Sequence, residues 1–183
     1  MTNIQSLLKC PIFVFDVESR GLYGEGFAVG GGVYIGGEAQ YEFRYLCPVY
    51  TAVGGDEEDL KWVETNTPFF HSSYRSPQAL RKDFWNVWEH IKARFSDIKV
   101  FGDCIFPVET SFFAQCVKDD ESNRKFKAPY PLYDIAAILL CAGMDPLKTY
   151  DRLPSELPKH DPLADARQSV RLLMSAVDIL ASK

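Results

Sequence analysis

The sequence predicts an α/β domain with a mixed central sheet flanked by helices. An unbroken apolar run over residues 11–16 (PIFVFD) is typical of a central strand buried on both faces. Two β-rich segments follow it directly, and the rest of the chain alternates short apolar runs with segments of helical periodicity. No repeat, linker or low-complexity run divides the 183 residues, so we expect one domain over residues 1–183.

The strand-forming segments come first. After residues 11–16, residues 27–35 and 41–47 are β-rich and are separated by a Gly-Gly-Glu turn, which predicts a meander. The run Gly30-Gly31-Gly32 lies inside the first of these segments, so we expect a bulge or a close approach of another element to the backbone. Residues 50–75 are polar and mixed, and they predict a loop with a short helix near Glu57–Val63.

A long helix is predicted to begin at Ser76-Pro77. Ser is a good N-cap residue, and Pro suits the first helical position. The apolar residues from Leu80 to Phe95 then repeat at spacings of three and four, which marks one face of a helix. The segment Ile98–Phe101 is another short apolar run and predicts a further strand.

Three more helices are predicted towards the C-terminus. Pro107–Val117 and Ile135–Cys141 indicate two short ones, and an irregular, proline-rich stretch follows them. The last helix has the clearest pattern. Asp161 can cap it, and the apolar residues from Leu163 to Leu180 keep the helical spacing throughout. Trp62, Trp85 and Trp88 are expected to serve as core or sheet-packing residues.

The composition excludes several classes of protein. A hydrophobic content of 46% is enough to fill a core, which argues against disorder, and no window approaches 18 consecutive apolar residues, so no membrane span is expected. Five widely spaced cysteines without a Cys-x-x-Cys pair, and an N-terminus without a long apolar region, favour the reducing cytoplasm. With 20 Lys+Arg against 25 Asp+Glu, the net charge of −5 argues against a non-specific nucleic-acid coat protein.

Carboxylates at the end of the first strand form the first candidate site. Asp16 and Glu18 are two residues apart, and in a strand that spacing sends both side chains to the same face. Two adjacent carboxylates repel each other unless a cation lies between them. Solvated acids are also common at strand ends, so this pair alone does not decide between a structural and a functional role.

Two further segments carry candidate residues. Asp103 ends another apolar strand, and Glu109 lies in the first turn of the helix that follows; a loop acid and a charge at a helix N-terminus are the ordinary explanations. His160 and Asp165 flank the start of the last helix. Asp165 is one position off the apolar stripe, so it can face a neighbouring site, and His160 is free to lean over that site.

In combination and in this order, the three segments resemble the DEDD exonucleases of the ribonuclease H-like fold, in the His-bearing DEDDh subgroup. The segments are FVFDVESRGL (13–22), VFGDCIFPVETSFF (100–113) and HDPLADA (160–166). The first and third match the family patterns D-x-E-(S/T)-x-G-L and H-x-x-x-x-D-A. The second departs from the usual Asn followed by an aromatic-Asp pair, because it has Asp103 at the Asn-like place and Glu109 six residues on.

The resemblance implies a ribonuclease H-like fold and a 3′-to-5′ exonuclease that uses two divalent cations, Mg²⁺ or Mn²⁺. The implied metal ligands are Asp16, Glu18, Asp103 and Asp165, with Glu109 as an alternate or second ligand. His160 is implied as the general base that removes a proton from water. The implied substrate is a single-stranded RNA or DNA 3′ end or a short oligonucleotide, and the substrate-contacting residues are Arg20, Gly21, Leu22 and Glu109. Dimers are frequent in this family, so a homodimer is one expectation.

Two other functions stay open at this stage. The irregular second motif is compatible with a ribonuclease H-like domain that has lost efficient catalysis and serves as a nucleic-acid-binding or scaffold module. A metal-dependent phosphohydrolase acting on nucleotides or other phosphoesters is the third hypothesis.

Overall fold

A computed structural model describes residues 9–68 and 71–182. Its strands are β1 (Ile12–Ser19), β2 (Gly26–Ile35), β3 (Glu38–Leu46), β4 (Lys99–Gly102) and β5 (Leu132–Asp134). Its helices are α1 (Glu57–Asn66), α2 (Pro77–Arg94), α3 (Val108–Lys118), α4 (Glu121–Arg124), α5 (Ile135–Ala142) and α6 (Pro162–Ala181). The expected absence of a signal peptide concerns an N-terminus whose first eight residues lie outside the described ranges, as do residues 69–70 of the predicted loop.

The sheet is mixed, as the sequence predicts. The strand order is β3-β2-β1-β4-β5; β1 is antiparallel to β2 and parallel to β4, and β5 is parallel to β4. The apolar segment at residues 11–16 therefore forms the central strand. The sequence analysis missed β5 and α4, which are three and four residues long, because such short elements carry too few positions to show a period.

Helices cover both faces of the sheet, and β1 divides its side chains between them. Phe13, Phe15 and Val17 pack into the core formed with α2 and α3. Ile12 and Val14 pack into the second core, formed with α5 and α6. Asp16 and Glu18 continue the alternation of this second series, so they lie on the α6 face at the end of the strand.

The start of α6 lies directly against β2 at Gly30. A Cβ atom on Gly30 would lie 2.3 Å from the backbone nitrogen of Leu163 and 2.6 Å from the carbonyl carbon of Pro162. This confirms the close approach that the glycine run predicts. Since Gly30 is the partner of Asp16 across the β1–β2 ladder, the contact brings the first turn of α6 beside Asp16.

The predicted helices are present, with one difference among the tryptophans. Trp85 and Trp88 of α2 are buried, as expected, whereas Trp62 of α1 is 50% exposed, so its prediction as a core residue is wrong. Each of the five cysteines is free. None of the helices in the described part of the chain combines the length and apolar character needed to cross a membrane.

Candidate active site

The end of β1 extends beyond its parallel neighbour. Pairing between β1 and β4 ends at Val14 and Phe101, but β1 continues to Ser19. The N–H of Val17 therefore finds its partner outside the ladder and donates to Oε1 of Glu109 at 3.3 Å. This hydrogen bond holds the Glu109 carboxylate against the segment of β1 that carries the two acids.

Glu109 occupies the first turn of α3 and is only 4% exposed. Gly102 at the end of β4 makes room for it, because a Cβ atom there would lie 3.3 Å from Cγ of Glu109. Burial raises the pKa of Glu109 to about 8, and the charges of Glu18 and Asp103 add to the increase.

Asp103 follows β4, as the sequence predicts, and lies beside the same group of acids. Its Oδ1 atom is buried without a hydrogen-bond partner among the described residues. Burial raises the pKa of Asp103 to about 6, and the charge of Asp134 is the next contribution. A buried carboxylate oxygen that lacks a donor leaves negative charge uncompensated beside the other acids.

Asp165 and His160 reach the site from the other side, where the segment 150–160, which we call the strap, leads into α6. Oδ1 of Asp165 accepts a hydrogen bond from Arg152, and Oδ2 accepts one from the backbone N–H of His160 at 3.1 Å. His160 has a left-handed backbone with φ 61°, an uncommon conformation that is concentrated at functional sites. Its Nδ1 atom lies 3.8 Å from Oε1 of Glu18.

The electrostatics show that these residues form one cluster. Burial raises the pKa of Asp16 well above its usual value, and the charges of Glu18, Glu109, Asp165 and Asp103, in that order, raise it further. Burial is also the largest cause of the raised pKa values of Glu18 and Asp165. The five acids that the three sequence motifs contribute therefore act on a common site.

The donor set fits a hard divalent cation. Ligand atoms of Glu18, His160 and Asp165 all lie within 4.8 Å of one another. The surrounding carboxylates raise each other's pKa values because they share a buried site, and bound cations would relieve that repulsion. Oxygen-rich carboxylate sites of this kind suit Mg²⁺ or Mn²⁺.

A cavity of about 620 Å³ opens over the cluster. Its lining includes the acids, His160 and two exposed apolar side chains. These are Leu22, which is 65% exposed, and Trp62. The Trp62 ring meets the His160 ring edge-on, with 5.0 Å between their centroids. The cavity thus combines charged groups at its base with apolar groups at its mouth.

Trp62 is a cavity residue that the sequence does not predict. It is brought to the cavity by Gly21, where a Cβ atom would lie 2.4 Å from Oδ2 of Asp59, so α1 packs directly on the turn after β1. Asp56 caps α1 and fixes where it begins. The available sequence signal was this cap followed by an aromatic residue on a short helix, but nothing local links that helix to β1.

The predicted substrate-contacting residues divide into two groups. Gly21 and Leu22 line the cavity, as does Glu109. Arg20 donates from Nη1 to the carbonyl oxygen of Ala52 at 3.1 Å, so its guanidinium supports the loop before α1. Its predicted contact with substrate stays a prediction.

No protein-family model matches the sequence, and no curated protein matches it. The fold, however, matches a solved structure, the moderately thermophilic exonuclease I from Methylocaldum szegediense, with a TM-score of 0.60 and 14% sequence identity. The match covers 94% of this chain and 43% of the exonuclease chain, so this protein spans less than half of its neighbour's length. The chain therefore has a ribonuclease H-like α/β fold, shared with an exonuclease.

Proposed function

We propose that the protein is a metal-dependent 3′-to-5′ exonuclease that acts on single-stranded nucleic-acid ends or short oligonucleotides. The observation that carries the proposal is the convergence of five buried or half-buried carboxylates from β1, the β4–α3 connection, α3 and α6, with His160 beside them. The 3′-to-5′ direction rests on the resemblance of the three motifs to the DEDDh exonucleases. The shared fold with an exonuclease supports the nuclease class.

The residues that would hold two divalent cations are Asp16, Glu18, Asp165 and an acid of the second motif. Such a pair of cations neutralises charge on the scissile phosphate and activates water. The protein's own contribution is to gather the ligands at one place: β1 supplies two from adjacent positions of one face, and the contact of α6 with Gly30 brings Asp165 beside them.

For the acid of the second motif, the geometry favours Glu109 over Asp103. Glu109 contacts β1 itself through the N–H of Val17, and its charge acts on Asp16 more strongly than that of Asp103 does. The first charged neighbour of Asp103 is instead Asp134, outside the cluster. We therefore propose Glu109 as the metal ligand and Asp103 as a neighbour that adds negative charge, which reverses the preference drawn from the sequence.

His160 would serve as the general base. Its ring lines the cavity and lies within reach of the carboxylate of Glu18, while its backbone N–H is fixed by Asp165. A neutral imidazole has one unprotonated nitrogen that can accept a proton from water, as a general base requires.

Leu22 and Trp62 would contact the terminal base. Both side chains are exposed at the mouth of the cavity, and every nucleobase offers a flat face to an aromatic or apolar side chain. A base between them would leave its phosphate facing the acids. This arrangement suits an unpaired end, since a paired base is already stacked in its duplex.

The test is to incubate 5′-labelled single-stranded RNA and DNA with the protein in Mg²⁺, Mn²⁺ or EDTA. We expect a ladder that shortens from the 3′ end, that EDTA abolishes, and that Asp16→Ala loses. Trp85→Phe, a buried change in the opposite core, is the control variant and should keep the activity.

Other outcomes would favour the rival functions. Binding of oligonucleotides without degradation in any metal would indicate a scaffold module. Release of phosphate from nucleotides without shortening of oligonucleotides would indicate a phosphohydrolase. Either result contradicts the exonuclease proposal.

A further inference from the structure

Arg152 places a positive charge directly against Asp165 from a part of the chain that none of the three motifs includes. Its Nη1 atom donates to Oδ1 of Asp165 and, at 2.9 Å, to the carbonyl oxygen of Glu156. The side chains of Arg152 and Asp165 are each only 16% exposed. This ion pair is therefore shielded from solvent and couples more strongly than a surface pair.

The strap that carries Arg152 is anchored along one side of α6. Arg171 holds the buried Glu156 carboxylate through two hydrogen bonds, at 2.6 and 2.8 Å, and also donates to the carbonyl oxygen of Asp151 at 2.7 Å. Arg167 donates to the carbonyl oxygen of Ser155 at 3.1 Å. Because both flanks of Arg152 are fixed in this way, its guanidinium is held at Asp165 by the fold rather than by a mobile surface side chain.

Both oxygens of Asp165 already accept a hydrogen bond. Oδ1 accepts from Arg152, and Oδ2 accepts from the backbone N–H of His160. A divalent cation held by Asp165 together with Glu18 would share one of these oxygens with its donor, and binding at Oδ1 would bring the cation against the guanidinium. Two positive charges at hydrogen-bond separation repel each other. Metal binding to Asp165 and pairing of Asp165 with Arg152 therefore oppose each other.

We propose that Arg152 is the counter-ion of Asp165 in the metal-free protein and competes with the divalent cation for that carboxylate. The inference rests on the proposed metal site and deepens it. Arg152 is thus a positioning residue: it orients Asp165 among the other acids, and it lowers the affinity of the site for metal.

The test measures metal binding and thermal unfolding of the full chain, without substrate. Mg²⁺ and Mn²⁺ are titrated into wild type, Arg152→Gln and Arg152→Lys by calorimetry, and each protein is also melted in EDTA and in saturating metal. We expect Arg152→Gln to bind metal about tenfold more tightly than wild type, the size expected from losing one charged hydrogen bond. Its melting temperature should fall in EDTA and recover in metal, while Arg152→Lys should stay within about threefold of wild-type affinity because it retains the charge.

Arg81→Gln is the matched control. It removes a buried arginine of α2 that pairs with Glu25 and Asp119, outside the cluster, and should lower the melting temperature equally with and without metal while leaving metal affinity unchanged. Equal or weaker metal binding by Arg152→Gln would overturn the inference, because Arg152 would then only preorganise the site. If that variant is unfolded in EDTA, the inference requires metal to restore its fold, and failure to do so contradicts it. A wild-type protein that responds to neither metal would contradict the proposed function itself.

Discussion

Arginines compensate the negative charges of the carboxylates around α6, whereas the carboxylates at the end of β1 mainly face one another. On the α6 side, arginines hold Glu156, Glu42 and Asp161 in buried or half-buried ion pairs. Hydrogen bonds from Arg171 and Arg167 lower the pKa values of Glu156 and Glu42, against the effect of burial. At the end of β1, burial and neighbouring negative charges raise the pKa values of Asp16 and Glu109.

We expect this difference to separate structural acids from the acids of the proposed site. An acid with its own arginine is satisfied within the chain and contributes to the fold. Acids that raise each other's pKa values cost folding energy, and a fold retains them where another role requires them. Asp165 has features of both groups, since it lies among the acids at the end of β1 and also pairs with an arginine.

The largest effect is expected for the acid of the second motif. Glu109→Gln keeps the shape of the side chain and removes its charge, so it should abolish Mg²⁺-dependent shortening of oligonucleotides, with a loss of about 10³-fold or more, if Glu109 holds metal. Asp103→Asn is the matched comparison and should reduce the rate by about tenfold or less, because only the added negative charge is lost. Initial rates on a labelled oligonucleotide give both values. A severe defect in Asp103→Asn with a mild one in Glu109→Gln would restore the assignment that the sequence favoured.

His160 links the two regions, because the strap carries it and its ring faces Glu18. Removal of a general base typically reduces the rate by 10² to 10⁴-fold, and we expect His160→Ala to fall in that range. The remaining activity should lose its rise with pH near neutrality. Metal affinity should change little if His160 is a base rather than a ligand, so a large loss of affinity by calorimetry would assign His160 to the metal instead.

Stability should respond in opposite directions on the two sides. Glu156 is only 2% exposed and is held by Arg171, whose side chain is 34% exposed, so Glu156→Gln weakens a partly solvated ion pair and should cost about 1 to 2 kcal/mol of unfolding free energy. Asp16→Asn should instead stabilise the protein in EDTA, because it relieves repulsion within the cluster. Denaturant unfolding in EDTA measures both. A destabilised Asp16→Asn protein would show that the β1 acids also contribute to the fold.

The sequence predicts the fold well because the spacing of its apolar residues indicates which faces of the strands and helices are buried. The alternation of β1 identifies the central strand and the face on which Asp16 and Glu18 lie, and the stripe of α6 leaves Asp165 beside it. The glycine run predicts the close approach at Gly30 without naming its partner. Only the folded structure shows that the first turn of α6 lies against Gly30 and that Gly30 pairs with Asp16.

The parts of the site that the sequence does not predict depend on contacts between distant segments. Glu109 reaches β1 through one backbone N–H that is 92 positions away in the chain, and nothing in its own helix indicates that contact. Trp62 looks like a core residue because aromatic residues are usually buried, and its position over His160 follows from the packing of α1 on Gly21. Arg152 lies in an irregular stretch with no period, so its pairing with Asp165 leaves no trace in the sequence.

The smallest expected effect is the pH dependence of the metal-free protein. The pKa of Glu109 is raised from 4.5 to about 8 in the folded state, so between those values the folded chain binds a proton that the unfolded chain has released. Stability is therefore greatest below pH 4.5 for this group and is lost as the pH rises towards 8. In EDTA we expect the melting temperature to fall on the order of 5 °C between pH 6 and pH 8.5.

Two controls decide whether the cluster causes this fall. Saturating Mg²⁺ should reduce it, because a cation stabilises the ionised carboxylates that protons otherwise neutralise. Glu109→Gln should reduce it too, since the amide has no proton to lose, whereas Glu89→Gln, an exposed change on α2, should leave it unchanged. The opposite result is a melting temperature of the metal-free protein that rises over the same pH range. It would mean that positive charges compensate the acids at the end of β1 as fully as those on α6. The contrast between the two regions would then not hold.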